Sequence, residues 1–213
     1  MSYTIESIAE CIGARRVGEC EATIDWLLTD SRSLSFPEET LFFALTTKRN
    51  SGARYIPDLY DRGVRNFVVT EEDFEKIKNG ELGKLSTLNF LIVANPLKAL
   101  QKLAEIHREE FKIPIIGITG SNGKTIVKEW LHQLLSPDRR IVRSPRSYNS
   151  QIGVPLSVWQ LNEEAELGIF EAGISEMGEM NALKRMIKPT IGILTNIGGA
   201  HQENFFSLQE KCM

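Results

Sequence analysis

Hydrophobic and polar residues alternate with different spacings along the chain, and the first hundred residues predict a small mixed domain. Residues 4–13 carry their apolar side chains on one helical face, and Gly13 can end this helix. A second helix is predicted over 55–64. Short apolar runs predict strands before and after it, at 41–45, 66–70 and 89–94. This alternation of strands and helices favours a layered α/β arrangement.

A third predicted helix closes this region. Asn95 can accept hydrogen bonds from the free N–H groups at its start, and Pro96 suits the first helical position. Leucine and isoleucine recur every third residue up to Ile106, which gives the helix one buried face. The helix is predicted to end near Phe111, before Pro114. We therefore predict two domains, 1–110 and 111–213.

The second region has short, buried strands that are rich in isoleucine and valine, with helices between them. The helices are predicted at 124–135 and about 178–188, and the strands at 113–119, 139–144, 167–173 and 191–197. This order is typical of a parallel sheet with crossover helices, which binds ligands beyond the carboxyl ends of its strands.

Composition and charge exclude several classes of protein. The 213 residues are 42% hydrophobic and 25% charged, as in ordinary folded proteins. With 25 basic and 28 acidic residues the net charge is −3, so no basic surface for nucleic acid is expected. The longest apolar run, 90–94, is too short for a membrane span. Three cysteines without metal-type spacing favour free thiols in a reducing compartment, and we expect a cytoplasmic protein.

The segment GITGSNGKT (117–125) carries the clearest chemistry, because it joins an apolar strand to a predicted helix. Glycines allow successive N–H groups to point inward, and the positive end of the helix dipole adds to this cradle for phosphates. Lys124 would bring a charge to the β- and γ-phosphates, and the Thr125 hydroxyl can bind Mg²⁺. A strict P-loop has glycine where this chain has Ile118. The alternative is a glycine turn with a lysine exposed by chance.

Three further segments leave alternatives open. Glu171 ends a strand beside the glycine loop, where it would either meet a phosphate-bound Mg²⁺ or simply lie in solvent. His201 follows another strand, and a single loop histidine is more often a surface residue. The segment TDSRSL (29–34) predicts either an Asx-type turn or a polar ligand pocket. His107 lies within a predicted helix and is interpreted as structural.

Five segments, in this order, resemble the Mur ligase family of ATP-dependent amide-forming enzymes over nearly the whole chain. They are TDSR with LFFAL, TGSNGKT followed by VKE, SYNSQIGVPLS, EAGISEMGE and TNIGGAHQENF. The VKE and YN–IGVPL segments are similar to the branch that adds D-Ala-D-Ala. The resemblance implies an α/β fold with a small N-terminal substrate-binding domain, followed by a P-loop parallel-sheet ATPase domain.

The resemblance also implies roles for individual residues, with ATP and Mg²⁺ as cofactors. The phosphates would be bound by Gly120, Ser121, Asn122, Gly123, Lys124 and Thr125. Asn196 would contact adenine. Asn149 and Ser150 would face substrate and phosphate, and Ser31 and Arg32 would hold the uridine diphosphate end. The implied catalytic residues are Lys124, Glu171 and His201, and the implied metal ligands are Thr125, Glu171 and His201.

The implied reaction joins D-Ala-D-Ala to a UDP-N-acetylmuramoyl tripeptide through an acyl phosphate. Two alternatives stay open: a sister amide ligase, including the folylpolyglutamate type, and a non-catalytic P-loop nucleotide-binding module. We also expect the ATPase domain to be incomplete, because the lysine that supplies a second metal ligand in the family would fall beyond Met213. Lys211 lies one helical turn too early. The resemblance therefore implies that this fragment is inactive. It is also compatible with the chain being the N-terminal part of a fusion with alanine racemase.

Overall fold

The computed structural model describes residues 2–46, 51–80, 87–173 and 178–198. The chain divides into two compact units, Met1–Leu103 and Ala104–Met213. The division falls inside helix α4 (Pro96–Glu109), whereas the sequence places the domain boundary after the end of that helix. The assignment of UDP-substrate binding to 1–110 and of ATP binding to 111–213 stays a prediction.

The first unit is built on a mostly parallel sheet. The strands of the whole unit are β1 (Tyr3–Thr4), β2 (Arg15–Val17), β3 (Thr23–Ile24), β4 (Trp26–Leu28), β5 (Thr40–Phe43), β6 (Asn66–Val69) and β7 (Asn89–Ile92). The sheet order is β2-β7-β6-β5-β4, in which only β2 is antiparallel to its neighbour, while β1 and β3 form a separate antiparallel pair. The three predicted strands are confirmed as β5, β6 and β7. The shorter strands β1 to β4 were not predicted.

In the described part of this unit, three α-helices connect the strands. They are α1 (Ile5–Ile12), α2 (Ile56–Asp61) and α3 (Glu71–Lys78). Side chains cap the starts of two of them, α1 and α3. Both α1 and α2 were predicted, and Gly13 ends α1 in the left-handed conformation at φ 66°. Helix α3 was not predicted. Its start follows capping rules, since the Thr70 hydroxyl accepts from the Asp73 N–H at 3.2 Å.

An aromatic core fixes the sheet of the first unit. The Phe67 and Phe90 rings stack with centroids 5.7 Å apart, and Phe74 meets Phe90 edge-on at 5.4 Å. Strands β5, β6 and β7 are buried at every position, as expected for a sheet covered on both faces. The segment that follows β4, which contains TDSR, therefore lies at the carboxyl edge of this sheet.

The second unit contains the predicted parallel sheet. Its strands run in the order β11-β8-β10-β9 and all neighbours are parallel. They are β8 (Ile115–Thr119), β9 (Ile141–Arg143), β10 (Leu167–Ala172) and β11 (Ile191–Leu194), with helices α5 (Lys124–Leu135), α6 (Gly153–Val158) and α7 (Glu179–Ile187). The two predicted helices are confirmed as α5 and α7. The segment predicted as a loop followed by a helix start leads into α6.

Helices cover both faces of this sheet. On one face, α5 packs Val127 and Leu131 against a cluster that includes Ile118. On the other face, α6 and α7 pack Val154 and Leu183 against a second cluster. Because all four strands are parallel, the segments that follow them meet at one edge of the sheet. Among the described residues, no helix is long and apolar enough to cross a bilayer.

Candidate functional site

The loop between β8 and α5 requires glycine at two positions. Gly120 has φ 131°, and a β-carbon there would lie 2.1 Å from the Thr195 hydroxyl oxygen. Gly123 has φ 83° and stands at the N-cap of α5, where no side chain caps the helix. The positive end of the helix dipole is therefore exposed to the loop. The predicted strand–turn–helix arrangement is confirmed.

The segment after β11 holds this loop in place. The Ser121 N–H donates to the Asn196 carbonyl at 2.9 Å, and the Asn122 N–H donates to the Asn196 side-chain oxygen at 3.0 Å. The Thr195 hydroxyl donates to the Asn122 carbonyl at 2.6 Å. Asn196 thus fixes the conformation of the loop. Its contact with adenine, implied by the resemblance, stays a prediction.

Lys124 places its ammonium group over the loop. Its Nζ donates to the Gly120 carbonyl at 2.7 Å, and the residue begins α5. The positive charge of the side chain and that of the helix dipole therefore act at the same place. An ammonium group at a helix N-terminus next to a glycine loop is suited to bind polyphosphate.

Glu171 lies beneath this loop, on β10. Its side chain is 0% exposed, which excludes the alternative of a solvated glutamate at a strand end. The Thr125 hydroxyl donates to Glu171 Oε2 at 3.1 Å. Glu171 Oε1 has an ion pair but no hydrogen bond of acceptable geometry. A buried carboxylate with one oxygen that accepts no hydrogen bond, beside a hydroxyl, offers the hard oxygen ligands that Mg²⁺ prefers, so Thr125 and Glu171 fit the metal.

Lys128, the central residue of VKE, also belongs to this site, although no role was predicted for it. Its side chain is 0% exposed, and its Nζ lies 2.9 Å from Glu171 Oε1. It also donates to the Ser144 carbonyl at 2.8 Å and to the Arg146 carbonyl. The signal in the sequence is the spacing, because residues three apart share a helix face, and Thr125 already points toward β10.

Asn149 and Ser150 lie at the same edge of the sheet. The Gly173 N–H donates to the Asn149 carbonyl at 2.8 Å, so this loop meets the end of β10. A β-carbon on Gly173 would approach the Asn149 side chain to 2.9 Å. The Ser150 hydroxyl accepts from the Gly153 N–H at 3.1 Å and supports the start of α6. Their contacts with substrate stay predictions.

Ser31 and Arg32 belong to the first unit, in a short 3₁₀ turn. The Asp30 carboxylate accepts from the Arg32 N–H at 3.0 Å, so the Asx-type turn is confirmed. The Arg32 guanidinium also donates to Asp30 at 2.6 Å, and this hydrogen bond lowers the pKa of the Asp30 carboxyl. The Arg32 side chain is 87% exposed and accessible to an anionic ligand. A ligand pocket at this turn stays a prediction.

The two histidines of interest differ. His201 lies outside the described residues, and no group of three or more possible metal-binding His, Cys, Asp or Glu residues occurs within the described part of the chain. His107 is buried, and its Nε2 lies 3.0 Å from the Leu161 carbonyl. Burial lowers the pKa of His107 to about 4. The structural role predicted for His107 is confirmed.

Comparison with known families agrees with this geometry. Residues 118–211 match the Mur ligase middle domain. This part of the chain belongs to the Mur ligase family. The chain is 44% identical over 207 residues to the UDP-N-acetylmuramoyl-tripeptide–D-alanyl-D-alanine ligase of Treponema pallidum. That alignment covers 94% of this chain and 44% of the relative.

Solved structures show the same fold. MurF from Acinetobacter baumannii has a TM-score of 0.83 at 24% identity, and the match covers 100% of this chain and 45% of that one. The MurF ligase from Thermotoga maritima, solved in complex with ADP, has a TM-score of 0.69 at 25% identity, covering 87% and 40%. The chain spans less than half the length of the curated relatives it matches.

Proposed function

We propose that this chain provides the ATP site and the UDP-substrate site of an ATP-dependent amide ligase of peptidoglycan precursor synthesis. The observation that carries the proposal is the contact between the Thr125 hydroxyl and the buried Glu171 carboxylate, directly below the glycine loop. A structural turn needs no buried acid at this place. A site for a phosphate-bound cation does.

The nucleotide would bind with its phosphates on the glycine loop. Backbone N–H groups at the start of α5 and the Lys124 ammonium would neutralise its negative charge. The similarity to a MurF ligase that was solved with ADP supports this assignment. Asn196, which already holds the loop, would contact the adenine of the bound nucleotide.

Mg²⁺ would be held by Thr125, Glu171 and His201. The metal would balance the charge of the phosphate groups during their transfer. The buried position of Glu171 keeps its carboxylate away from bulk water, which strengthens its attraction for a cation.

The substrates follow from the names of the relatives. The carboxylate of a UDP-N-acetylmuramoyl tripeptide would attack the γ-phosphorus of ATP and release ADP, giving an acyl phosphate. The amine of D-Ala-D-Ala would then attack the acyl carbon, phosphate would leave, and an amide bond would remain. The protein would mainly position these groups and neutralise charge. Ser31 and Arg32 would hold the uridine diphosphate end, and Asn149 and Ser150 the reacting end.

We propose the D-Ala-D-Ala branch in preference to a sister ligase because the relatives that match over most of this chain carry that name. The precursors of this reaction are nucleotide-linked, so we place the protein in the cytoplasm. A non-catalytic nucleotide-binding module would share the glycine loop. It would have no need for the second, UDP-binding site.

A chimera tests the proposed function. The 213 residues replace the matching segment of the Treponema pallidum relative, and the product is assayed with ATP, Mg²⁺, UDP-linked tripeptide and D-Ala-D-Ala. We expect ATP-dependent pentapeptide formation, which Glu171→Ala abolishes. A folded chimera that accepts another amine in place of D-Ala-D-Ala would support a sister ligase. One that binds ATP but no UDP-linked peptide would support a non-catalytic module.

A further inference from the structure

We propose that Lys128 is a positioning residue that couples the metal-binding carboxylate of Glu171 to the loop carrying Asn149 and Ser150. This inference rests on the proposed function, because it concerns the same site. It assigns a role to the central residue of VKE, which the nucleotide and substrate contacts above leave without one.

The Lys128 ammonium group is surrounded by oxygen acceptors in a buried place. Its side chain is 0% exposed, and Nζ contacts Glu171 Oε1 at 2.9 Å, the Ser144 carbonyl at 2.8 Å and the Arg146 carbonyl. The two carbonyls accept hydrogen bonds, and the Glu171 carboxylate forms an ion pair that balances the buried charge. Glu129 adds a longer contact of 3.2 Å from a partly exposed side chain. Lys128 thus connects the segment after β9 to the end of β10.

Ser144 closes this arrangement on its other side. While the Ser144 carbonyl accepts from Lys128, the Ser144 hydroxyl accepts from the Glu171 N–H at 3.1 Å. Glu171 is therefore held through its backbone and its side chain by the same pair of residues. An apolar pair of similar volume could stabilise a fold equally well, so a buried ion pair at this place favours a role in geometry.

The loop that follows Ser144 depends on the same ammonium group. Arg146 has φ 49°, a left-handed conformation that costs energy for any residue except glycine. Its carbonyl accepts from Lys128, which supports this conformation. Further along, the Asn149 carbonyl accepts from the Gly173 N–H, two residues after Glu171. The segment 144–149 is therefore attached at both ends to the strand end that carries Glu171.

This arrangement has a consequence for ligand binding. A cation drawn to Glu171 shifts the carboxylate that Lys128 contacts, and Lys128 transmits the shift to the Ser144 and Arg146 carbonyls. Binding of Mg²⁺·ATP should then order the segment 144–150, which holds the residues that we assign to the reacting end of the substrate. Lys128 would thereby link occupation of the ATP site to preparation of the substrate loop.

The test compares Lys128→Met with wild type and with Lys112→Met, a control at an exposed lysine of the same unit. Calorimetry measures ATP affinity with and without Mg²⁺, and hydrogen exchange measures protection of the amides at 144–151. For Lys128→Met we expect the gain in ATP affinity caused by Mg²⁺ to fall by about 10–100-fold, as for residues that orient a metal ligand. ATP affinity without Mg²⁺ should change little. Mg²⁺·ATP should protect 144–151 in wild type and in the control, but not in Lys128→Met.

A purely structural lysine would lower stability without moving the Mg²⁺ increment or the ligand-induced protection. Unchanged values of both in folded Lys128→Met would overturn the proposal. If Lys128→Met does not fold, Lys128→Arg decides, because its charge still pairs with Glu171 while a planar guanidinium cannot meet the three acceptors in the same way. Wild-type behaviour of Lys128→Arg would then overturn it. Absence of ATP binding in wild type would instead reject the proposed function, and this inference with it.

Discussion

Gly120 and Thr195 approach so closely that only glycine fits, because a β-carbon at position 120 would lie 2.1 Å from the Thr195 hydroxyl oxygen. The backbone of Gly120 is also left-handed, with φ 131°. This contact connects the glycine loop after β8 to the segment after β11. The conformation of the loop therefore depends on two chain segments, and not on the glycine pattern alone.

Gly120→Ala should consequently disturb the loop while leaving the sheet intact. We expect ATP affinity to fall by at least about tenfold, which corresponds to roughly 1.4 kcal/mol. The far-ultraviolet circular dichroism should remain close to wild type. Gly192→Ala is the matched control, since a β-carbon there meets nothing within 4 Å. Equal ATP affinities of the two variants would contradict the structural account of Gly120.

Lys124→Ala removes the ammonium group that lies over the loop. A charge-assisted hydrogen bond contributes roughly 1.5–3 kcal/mol, so ATP affinity should fall by about tenfold or more. Calorimetry with ATP measures the change, and Lys112→Ala controls for the loss of a positive charge elsewhere on the same unit. If Lys124→Ala binds ATP as wild type does, the loop is not a phosphate site.

Arg32 is expected to bind the uridine diphosphate end of the substrate. In an NMR titration of the chain with the UDP-linked tripeptide, shifts should centre on the amides of 29–46. Arg32→Ala should weaken this binding by about tenfold, because an exposed guanidinium can pair with phosphate in a bidentate manner. Arg54→Ala, at another arginine of this unit, serves as the comparison. Shifts confined to other regions would exclude this placement.

His107 should make stability depend on pH. Burial lowers its pKa from 6.5 to about 4, so between these values the unfolded chain binds a proton that the folded chain does not. Stability is then complete above pH 6.5 and is lost as the pH falls toward 4, by about 3 kcal/mol in free energy of unfolding. Urea unfolding at several pH values measures this.

His107→Gln keeps a side-chain donor for the Leu161 carbonyl but does not titrate in this range. The difference in unfolding free energy between wild type and His107→Gln should therefore shrink or reverse as the pH falls from 6.5 to 4. Parallel curves for the two proteins over this interval would show that the histidine is not the titrating group.

The sequence by itself determined those parts of the molecule whose structure depends on residues that are close together in the chain. The strand–glycine loop–helix around Lys124 follows from a run of apolar residues, two glycines and a helical period, all within about twenty positions. The start of α4 is equally local, since the Asn95 side chain accepts from the Lys98 N–H at 3.1 Å. The parallel sheet of the second unit also followed from the alternation of buried strands and helices. The short strands β1 to β4 did not, because two or three residues carry too little periodicity. Helix α3 did not either, because only Phe74 and Ile77 are apolar among its eight residues.

Only the tertiary structure decided which distant residues meet. Thr125 and Glu171 are 46 positions apart, and their contact exists because β10 lies beside β8 in the sheet. The same neighbourhood buries Lys128 against Glu171, whereas the sequence left Glu171 equally suited to solvent and to a metal. Asn196 reaches the glycine loop because β11 lies on the other side of β8. A local pattern determines whether a segment forms a helix, a strand or a turn. The order of the strands in the sheet determines which segments are neighbours in space. The chemistry of this site depends on those partners.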